Sequence, residues 1–205
     1  MTMHDGIDVS VFQQDIDWRR VRASGVRFAM VKATQGYSET GSAHLFVDRC
    51  FQRNITGAAE AGLYVGSYHY LTARNVYQAK EEARHYLSAI SPHRARHLLW
   101  AAVDVESDMY LPADPASLCA VLDTFCGEVS RAGFIPAVYT NPNYIRYRFR
   151  RVPGWDLWLA QWRDRKYGIP TGYPRLRIWQ WGASPVPGVN GAVDSDVGNF
   201  WLPDD

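Results

Sequence analysis

The sequence is poor in cysteine, in net charge and in long apolar runs, and each shortage excludes a class of protein. Three cysteines among 205 residues are an odd number, which argues against a disulfide framework and favours free thiols. Basic and acidic side chains number 22 and 21, so no overall charge favours nucleic acid or an anionic membrane surface. No apolar run reaches the ~18 residues of a membrane-spanning helix. We therefore expect neither nucleic-acid binding nor membrane insertion.

Aromatic residues, by contrast, are abundant. Eight Trp and 12 Tyr stand in a chain that is 47% hydrophobic, which is enough for a large core within one domain. Aromatic rings often serve in cores, but flat amphipathic rings also line grooves that bind sugars. The composition therefore allows a carbohydrate-binding protein without proving one.

Short apolar runs alternate with amphipathic runs over most of the chain. The strand-like runs are GIDVSVF, VRFAMVKAT, LYVGSYHYL, LLWAAVDVE and IPAVYT. Helices are predicted over Asp17–Ser24, Ala43–Ala61, Asn75–Ile90 and Pro115–Ala132, with a short Tyr/Arg-rich helix after Pro142. Three more strand-like runs, DLWLAQW, LRIWQWG and GAVDSDVGNF, follow without room for full helices. Repeated strand-helix units imply parallel strands with right-handed crossovers, so we predict an α/β barrel of eight strands.

The fourth of these strands carries the first chemical signal, a pair of acids at its exit. Asp104 and Glu106 are spaced i, i+2, so both carboxylates leave the same face of an extended chain, with Cα atoms roughly 6.6 Å apart at about 3.3 Å rise per residue. A D-x-E pair can also be two solvated residues where a strand meets its loop. The pair gains weight if other strands deliver acids and aromatics to the same end.

The carboxyl ends of the predicted strands do carry such residues. In a barrel of this kind these ends hold the chemistry, because the loops after the strands converge there. Acids, amides and aromatics recur at them: Asp8; Lys32 and Gln35; Tyr68, His69 and Tyr70; Asp104 and Glu106; Tyr139; Trp158, Gln161 and Trp162; Trp179, Gln180 and Trp181; Asp194 and Asp196. We interpret His69 as a hydrogen-bonded structural residue. The pattern predicts one polar, aromatic site at one rim.

Motifs along nearly the whole chain resemble the glycoside hydrolase family 25 lysozymes, which are N-acetylmuramidases of the phage-endolysin type. They are GIDVS at Gly6, IDW at Ile16, FAMVKATQG at Phe28, AGLYVGSYHY ending at Tyr70, VDVE at Val103, AVYTN at Ala137, LWLAQW at Leu157, IWQW at Ile178 and PGVNGAVDSDV at Pro187. The resemblance implies a single catalytic domain over residues 1–205 that forms a flattened TIM-like barrel, (β/α)5(β)3. It also implies retaining hydrolysis of the β-1,4 bond between N-acetylmuramic acid and N-acetylglucosamine in peptidoglycan.

Carried over residue by residue, the resemblance assigns roles to the rim. Glu106 is the expected general acid/base, and Asp104 is its partner, either as nucleophile or as the group that orients the substrate's acetamido group. Asp8 and Asp194 complete the acidic floor, and Asp196 stays open as an alternative to Asp194 because both share one face of an extended strand. The implied substrate-binding residues are Lys32, Gln35, Tyr68, Tyr139, Trp158, Gln161, Trp179 and Asp196.

One of these positions departs from the family pattern, which often has Glu where this chain has Gln35. An ionic contact there would be replaced by an amide hydrogen bond. The implied chemistry needs one protonated and one ionised carboxyl, and crowding by neighbouring anions raises the pKa of the first. We expect no cofactor and no metal, because His/Cys ligand spacings are missing, although an oxygen-only aspartate site would favour Mg or Ca.

Two other functions stay open, a chitinase-like hydrolase and a non-catalytic peptidoglycan-binding barrel. Bacterial peptidoglycan is the expected partner, and we expect a monomer. The N-terminus has no apolar signal core, which predicts synthesis in the cytoplasm and phage-type release through a holin to act on the cell wall. A secreted mature domain is the alternative.

Overall fold

The computed structural model describes residues 2–37 and 45–202. The strands in these ranges are β1 (Met3–Val9), β2 (Phe28–Gln35), β3 (Phe46–Val47), β4 (Tyr64–Tyr70), β5 (His97–Asp104), β6 (Pro136–Thr140), β7 (Asp156–Ala160), β8 (Leu176–Pro185) and β9 (Ala192–Asn199). The α-helices are α1 (Trp18–Ala23), α2 (Phe51–Glu60), α3 (Val76–Ile90) and α4 (Pro115–Arg131). Short 3₁₀ turns cover Val11–Gln13, Ser91–His93 and Arg165–Tyr167, and a π-helical turn covers Tyr144–Phe149.

Eight of the strands close into a barrel. Hydrogen bonding runs in the order β1, β9, β8, β7, β6, β5, β4, β2 and returns to β1, while β3 pairs only with the end of β2. Neighbouring strands are parallel from β1 through β2, β4, β5, β6 and β7 to β8, and β9 is antiparallel to both β8 and β1. The predicted α/β barrel of five strand-helix units followed by three strands is confirmed.

Alternation of side chains along the strands divides the core into two parts. One apolar cluster, which includes Val65 and Leu157, packs between the sheet and the helices. The other fills the barrel interior, where Phe28, Trp100 and Phe200 pack edge to face with ring centroids 4.9 to 5.4 Å apart. These rings come from the starts of the parallel strands and from the segment after β9. They close that end of the barrel, so polar side chains collect at the other end.

Three of the predicted helices are confirmed to within one residue at each end. Each begins at an acid or amide whose side chain accepts a backbone N–H of the first turn, namely Asp17, Asn75 and Asp114. Gly133 follows α4 with φ of +79°, a left-handed conformation that glycine adopts without steric cost. These local signals explain why the sequence predicts the helices well.

The predicted helix over Ala43–Ala61 is wrong in its first part. Phe46–Val47 is the short strand β3, which pairs antiparallel with the end of β2, and α2 begins only at Phe51; residues 43 and 44 lie outside the described residues. The carboxylate of Asp48 accepts the backbone N–H of Cys50 at 2.8 Å and reverses the chain before the helix. A side-chain contact within a turn therefore replaces the first helical turns.

The three cysteines are free thiols, as expected, with Cys50 and Cys126 buried and Cys119 half-buried. Within the described ranges, no helix is both long and apolar enough to cross a membrane.

Candidate active site

A cleft of about 240 Å³ opens at the end of the barrel where the parallel strands finish. Its lining comes from β1, β2, β4, β9, the end of β5 and the 3₁₀ turn after β1: Asp8, Ser10, Phe12, Gln13, Lys32, Tyr68, Tyr70, Asp104, Glu106 and Asp194. The structure thus brings together six of the sequence-predicted site residues, namely Asp8, Lys32, Tyr68, Asp104, Glu106 and Asp194.

Strand register explains how distant acids meet. Asp8 on β1 lies directly opposite Asp194 on antiparallel β9. Asp104 ends β5 beside Tyr139 of β6. Glu106 follows two residues later, beyond the strand, and it is exposed to the cleft, whereas Asp8 and Asp104 are buried and Asp194 is half-buried. The cleft therefore has one accessible carboxyl above a floor of less accessible ones.

Burial raises the pKa of these acids, and their mutual repulsion adds to it. For Asp8 the largest cause is loss of hydration, and the charges of Asp194 and Glu106 raise its pKa further. Hydrogen bonds from Gln180 and Asp196 oppose the rise, and together these effects bring the pKa of Asp8 to about 8. Burial is likewise the largest cause of the raised pKa of Asp194. Asp8 therefore holds its proton at neutral pH.

Lys32 is the cation that limits this effect for Asp104 and Glu106. Burial raises the pKa of both Asp104 and Glu106, and the Lys32 ammonium opposes the rise in each case. Lys32 donates to Gln35 Oε1 at 2.9 Å and lies 5.1 Å from the centroid of the Tyr70 ring. Gln35 therefore keeps an amide contact with the lysine where the family pattern often has a carboxylate.

Asp196 and Trp158 lie below the cleft floor. Trp158 Nε1 donates to Asp196 Oδ1 at 2.8 Å, and Asp196 also shares a carboxyl–carboxyl hydrogen bond with Asp8. The Trp158 ring packs edge to face against Tyr139 and Tyr68, with centroids 4.6 and 5.7 Å away. Of the two strand-nine acids, Asp194 lines the cleft and Asp196 supports Asp8 from beneath.

Trp179 does not reach the cleft. It lies on the outer face of β8, where its Nε1 donates to the backbone oxygen of Gln161 at 2.8 Å. Gln161 also uses its backbone N–H, which donates to the backbone oxygen of Gln180 at 3.0 Å. Trp158 and Trp179 are each 1% exposed, so neither indole has a face free for a sugar. Their sequence-based placement as groove residues is therefore corrected to core packing.

Gln180 was among the residues at the predicted strand ends but was given no role in the site, yet it is central to it. Its Nε2 donates to Asp8 Oδ2 at 2.8 Å, and its Oε1 accepts from Tyr139 Oη at 3.1 Å and from Trp162 Nε1 at 3.0 Å. The signal lies in the IWQW motif, because alternation along β8 turns Gln180 inward when Trp179 faces outward.

Phe12 was also missed, because the run GIDVSVF predicts a strand through it. The strand ends at Val9, and Phe12 sits on a 3₁₀ turn that Ser10 caps by accepting its backbone N–H at 3.3 Å. The next residues complete a tight bend, with Gln14 at φ of +52°. The Phe12 ring is 82% exposed in the cleft wall, so it is placed for contact with a ligand rather than with the core.

His69 is buried behind the rim on the opposite side of β4 from Tyr68. Its Nδ1 lies 2.7 Å from Thr34 Oγ1 and its Nε2 lies 2.8 Å from Glu82 Oε2. Glu82 also accepts from the backbone N–H and the hydroxyl of Thr72. The interpretation of His69 as a hydrogen-bonded structural residue is confirmed. Its hydrogen bonds link β2 and β4 to α3.

Among the described residues, no group of three or more His, Cys, Asp or Glu side chains is arranged to hold a metal ion. The side chains that line the cleft offer carboxyl groups, phenols, an ammonium and an exposed aromatic ring.

A barrel with several carboxyls lining one cleft at its strand ends has the features of a glycoside hydrolase, a class that works with paired acids. The sequence profile of the glycosyl hydrolases family 25 matches residues 7–189. The chain belongs to this family.

Relatives and solved structures agree with this assignment. The chain is 30% identical to the autolytic lysozyme of Clostridium acetobutylicum over 192 residues, which are 93% of this chain and 54% of that protein. It is 27% identical to lysozyme M1 of Streptomyces globisporus over 219 residues, covering 95% of this chain and 67% of that protein. The chain thus spans about half to two thirds of the length of these relatives.

Two solved structures show the same fold. A bacterial lysozyme from Streptomyces coelicolor superposes with a TM-score of 0.78 at 23% identity, covering 98% of this chain and 94% of the other. A family 25 glycosyl hydrolase from Bacillus anthracis gives 0.77 at 21% identity, covering 98% and 90%. At these identities the likeness is one of fold.

Proposed function

We propose that the chain is a peptidoglycan lysozyme that hydrolyses the β-1,4 bond between N-acetylmuramic acid and N-acetylglucosamine with retention of configuration. The observation that carries the proposal is the cleft in which burial raises the pKa of Asp8, Asp104 and Glu106 at the strand ends of a family 25 barrel. The names of the relatives, an autolytic lysozyme and lysozyme M1, support a cell-wall substrate.

Glu106 is the proposed general acid. It is the cleft carboxyl exposed beyond its strand, so it can reach a glycosidic oxygen. Burial raises its pKa, which favours the protonated form that proton donation to the leaving oxygen requires. Lys32 limits the rise in pKa, so that Glu106 can give up the proton and later accept one from water.

Asp104 is the proposed partner of Glu106. Its Oδ1 is buried and accepts no hydrogen bond from the part of the chain that the structure describes, so this oxygen is free to accept one from a substrate. We assign it to the acetamido N–H of N-acetylmuramic acid. The acetamido oxygen then attacks the anomeric carbon as Glu106 protonates the departing oxygen, and water opens the resulting oxazolinium ring with Glu106 as base. Two displacements at the anomeric carbon give retention.

The alternative is direct attack by Asp104, which forms an ester between its carboxylate and the sugar. A thiazoline analogue of the oxazolinium ring separates the two routes. It should inhibit competitively by our assignment, whereas a glycosyl ester on Asp104, found by mass spectrometry after rapid acid quenching, would establish the direct route.

The bond specificity is tested on purified sacculi. The soluble products are reduced with borohydride, and the reduced sugar is identified by mass spectrometry. Muramitol is expected, because cleavage after N-acetylmuramic acid frees its reducing end. Glucosaminitol would contradict the proposal, equal turnover of chitin would favour the chitinase-like alternative, and binding without release would favour the non-catalytic barrel.

A further inference from the structure

A chain of side-chain hydrogen bonds runs from the rim of the barrel to a buried acid of the cleft floor. Trp162, just after β7, is 63% exposed, and its Nε1 donates to Gln180 Oε1 at 3.0 Å. Gln180 is buried, and its Nε2 donates to Asp8 Oδ2 at 2.8 Å. Gln180 therefore links an exposed indole to a buried carboxyl through one side chain.

The donors around Gln180 determine which way its amide lies. An indole N–H can only donate, so the amide oxygen must face Trp162. The Tyr139 hydroxyl donates to the same oxygen at 3.1 Å. The amide nitrogen is then left to face Asp8, and an N–H that donates to a carboxyl favours its ionised form.

Resting on the proposed function, we infer that Gln180 is a positioning residue through which a sugar held against Trp162 controls the orientation and charge of Asp8. An N-acetylated pyranose packed on the exposed indole face would hold Trp162 against the amide. Without the indole N–H, only the Tyr139 hydroxyl holds the amide oxygen. Because a hydroxyl can also accept, the amide can then turn over and present its oxygen to Asp8, which must keep its proton.

A change in the charge of Asp8 affects the pKa of the proposed reacting acids, Asp104 and Glu106, because all three carboxyls line the same cleft. The groups that face Asp8 or share its cleft are acids and phenols from four parts of the barrel, with one cation: Asp194 and Asp196 on β9, Asp104 and Glu106 at the end of β5, Tyr68 and Tyr70 on β4, Tyr139 on β6 and Lys32 on β2. In such a cluster the proton affinities are shared. If Asp8 holds its proton to higher pH, Glu106 releases its own at lower pH.

Two substitutions of Trp162 separate sugar contact from hydrogen bonding. Trp162→Phe keeps an aromatic face but removes the N–H, and Trp162→Ala removes both. Trp201→Phe is the matched control, because Trp201 is 67% exposed and lines a separate pocket at the closed end of the barrel. Each protein is assayed for muropeptide release from sacculi over the pH range, with kcat and KM determined on soluble glycan strands.

For Trp162→Phe we expect the pKa of Asp8 to rise by about half a pH unit, the size of one ordinary hydrogen bond. The basic limb of the pH profile, which Glu106 sets, should move down by less than this, with KM near the wild-type value. Trp162→Ala should show the same shift and a KM several-fold higher, and Trp201→Phe should show neither. Gln180→Met should move the limb as Trp162→Phe does, and the double variant should move it no further. An unchanged limb in Trp162→Phe, or additive shifts, would overturn the inference.

A readout without turnover keeps this inference distinct from the proposed function. The titration of Asp8 can be followed through the carboxyl ¹³C resonances of labelled protein, in the wild type and in Trp162→Phe. A higher apparent pKa of Asp8 in the variant supports the coupling even if the wild type releases no muropeptide, a result that would defeat only the proposed function. An unchanged Asp8 titration would defeat the coupling even in an active enzyme.

Discussion

Asp8 should lower the stability of the fold at neutral pH, and Asp8→Asn should therefore raise it. Asp8 is buried among other acids, and its pKa is raised from 3.8 to about 8. The asparagine amide fits the same contacts, because its oxygen can accept from Gln180 and its nitrogen can donate to Asp196. The substitution removes an ionisable group at little cost in packing.

The size of the effect follows from linkage between protonation and folding. At about pH 7 the folded chain must keep a proton on Asp8 that the unfolded chain releases, which costs about 4 kcal/mol at ~1.4 kcal/mol per pH unit. This is an upper limit, because Asp194, Asp196 and Glu106 share protons with Asp8. We expect a gain of ~2 kcal/mol, or roughly 4–8 °C in Tm for a chain of this length.

The sign of the pH dependence makes the test specific. A carboxyl whose pKa is higher in the folded than in the unfolded chain contributes fully to the stability of the fold below its unfolded pKa. This contribution is lost as the pH rises through the folded pKa. The Tm advantage of Asp8→Asn should therefore be smallest near the unfolded pKa of 3.8 and grow up to about 8.

The matched control is Asp5→Asn on the same strand, which loses a surface ion pair of 2.7 Å with Arg165 and should be slightly less stable than the wild type. Thermal unfolding at a series of pH values checks both variants. A destabilised Asp8→Asn protein, or a gain independent of pH, would refute the reasoning.

Three further predictions concern the cleft. Lys32→Met removes the ammonium that lowers the pKa of Asp104 and Glu106, so the basic limb of the pH-rate profile should move to higher pH with a reduced kcat; an unmoved limb would contradict this. Phe12→Ala should raise KM for soluble glycan strands roughly 2- to 10-fold, as expected for an aromatic contact of ~0.5–1.5 kcal/mol, and should leave Tm unchanged because the ring is exposed. Clearing of a sacculus suspension should survive EDTA, and a loss restored by one divalent cation would instead indicate a metal site.

The barrel could be predicted from the sequence because its signals are local. Alternating strand and helix periodicities and the caps at Asp17, Asn75 and Asp114 lie within a few residues of the elements they define. The false helical start before Phe51 has the opposite cause. Asp48 binds the backbone N–H of Val11 at 2.9 Å, a contact 37 residues away that no local pattern reveals.

The sequence was sufficient to predict where in the barrel the site lies, but not how deeply each of its acids is buried. Strand ends converge at one rim, so Asp8, Asp104 and Glu106 could be placed together. Asp194 and Asp196 share a face yet differ in depth, since one lines the cleft and the other is fully buried, and that difference depends on how the barrel closes. The monomeric state and the route to the cell wall stay predictions of the sequence.

The central claim is that Glu106 donates the proton to the leaving group. The most direct test compares Glu106→Gln with the wild type on sacculi and on an aryl β-glycoside of N-acetylmuramic acid whose phenol leaves without protonation. Glu60→Gln, at the exposed end of α2, is the matched control. Glu106→Gln should lose a factor of about 10² to 10⁴ on sacculi and far less in release of the phenol. Near wild-type clearing of sacculi, or an equal loss on both substrates, would contradict the claim.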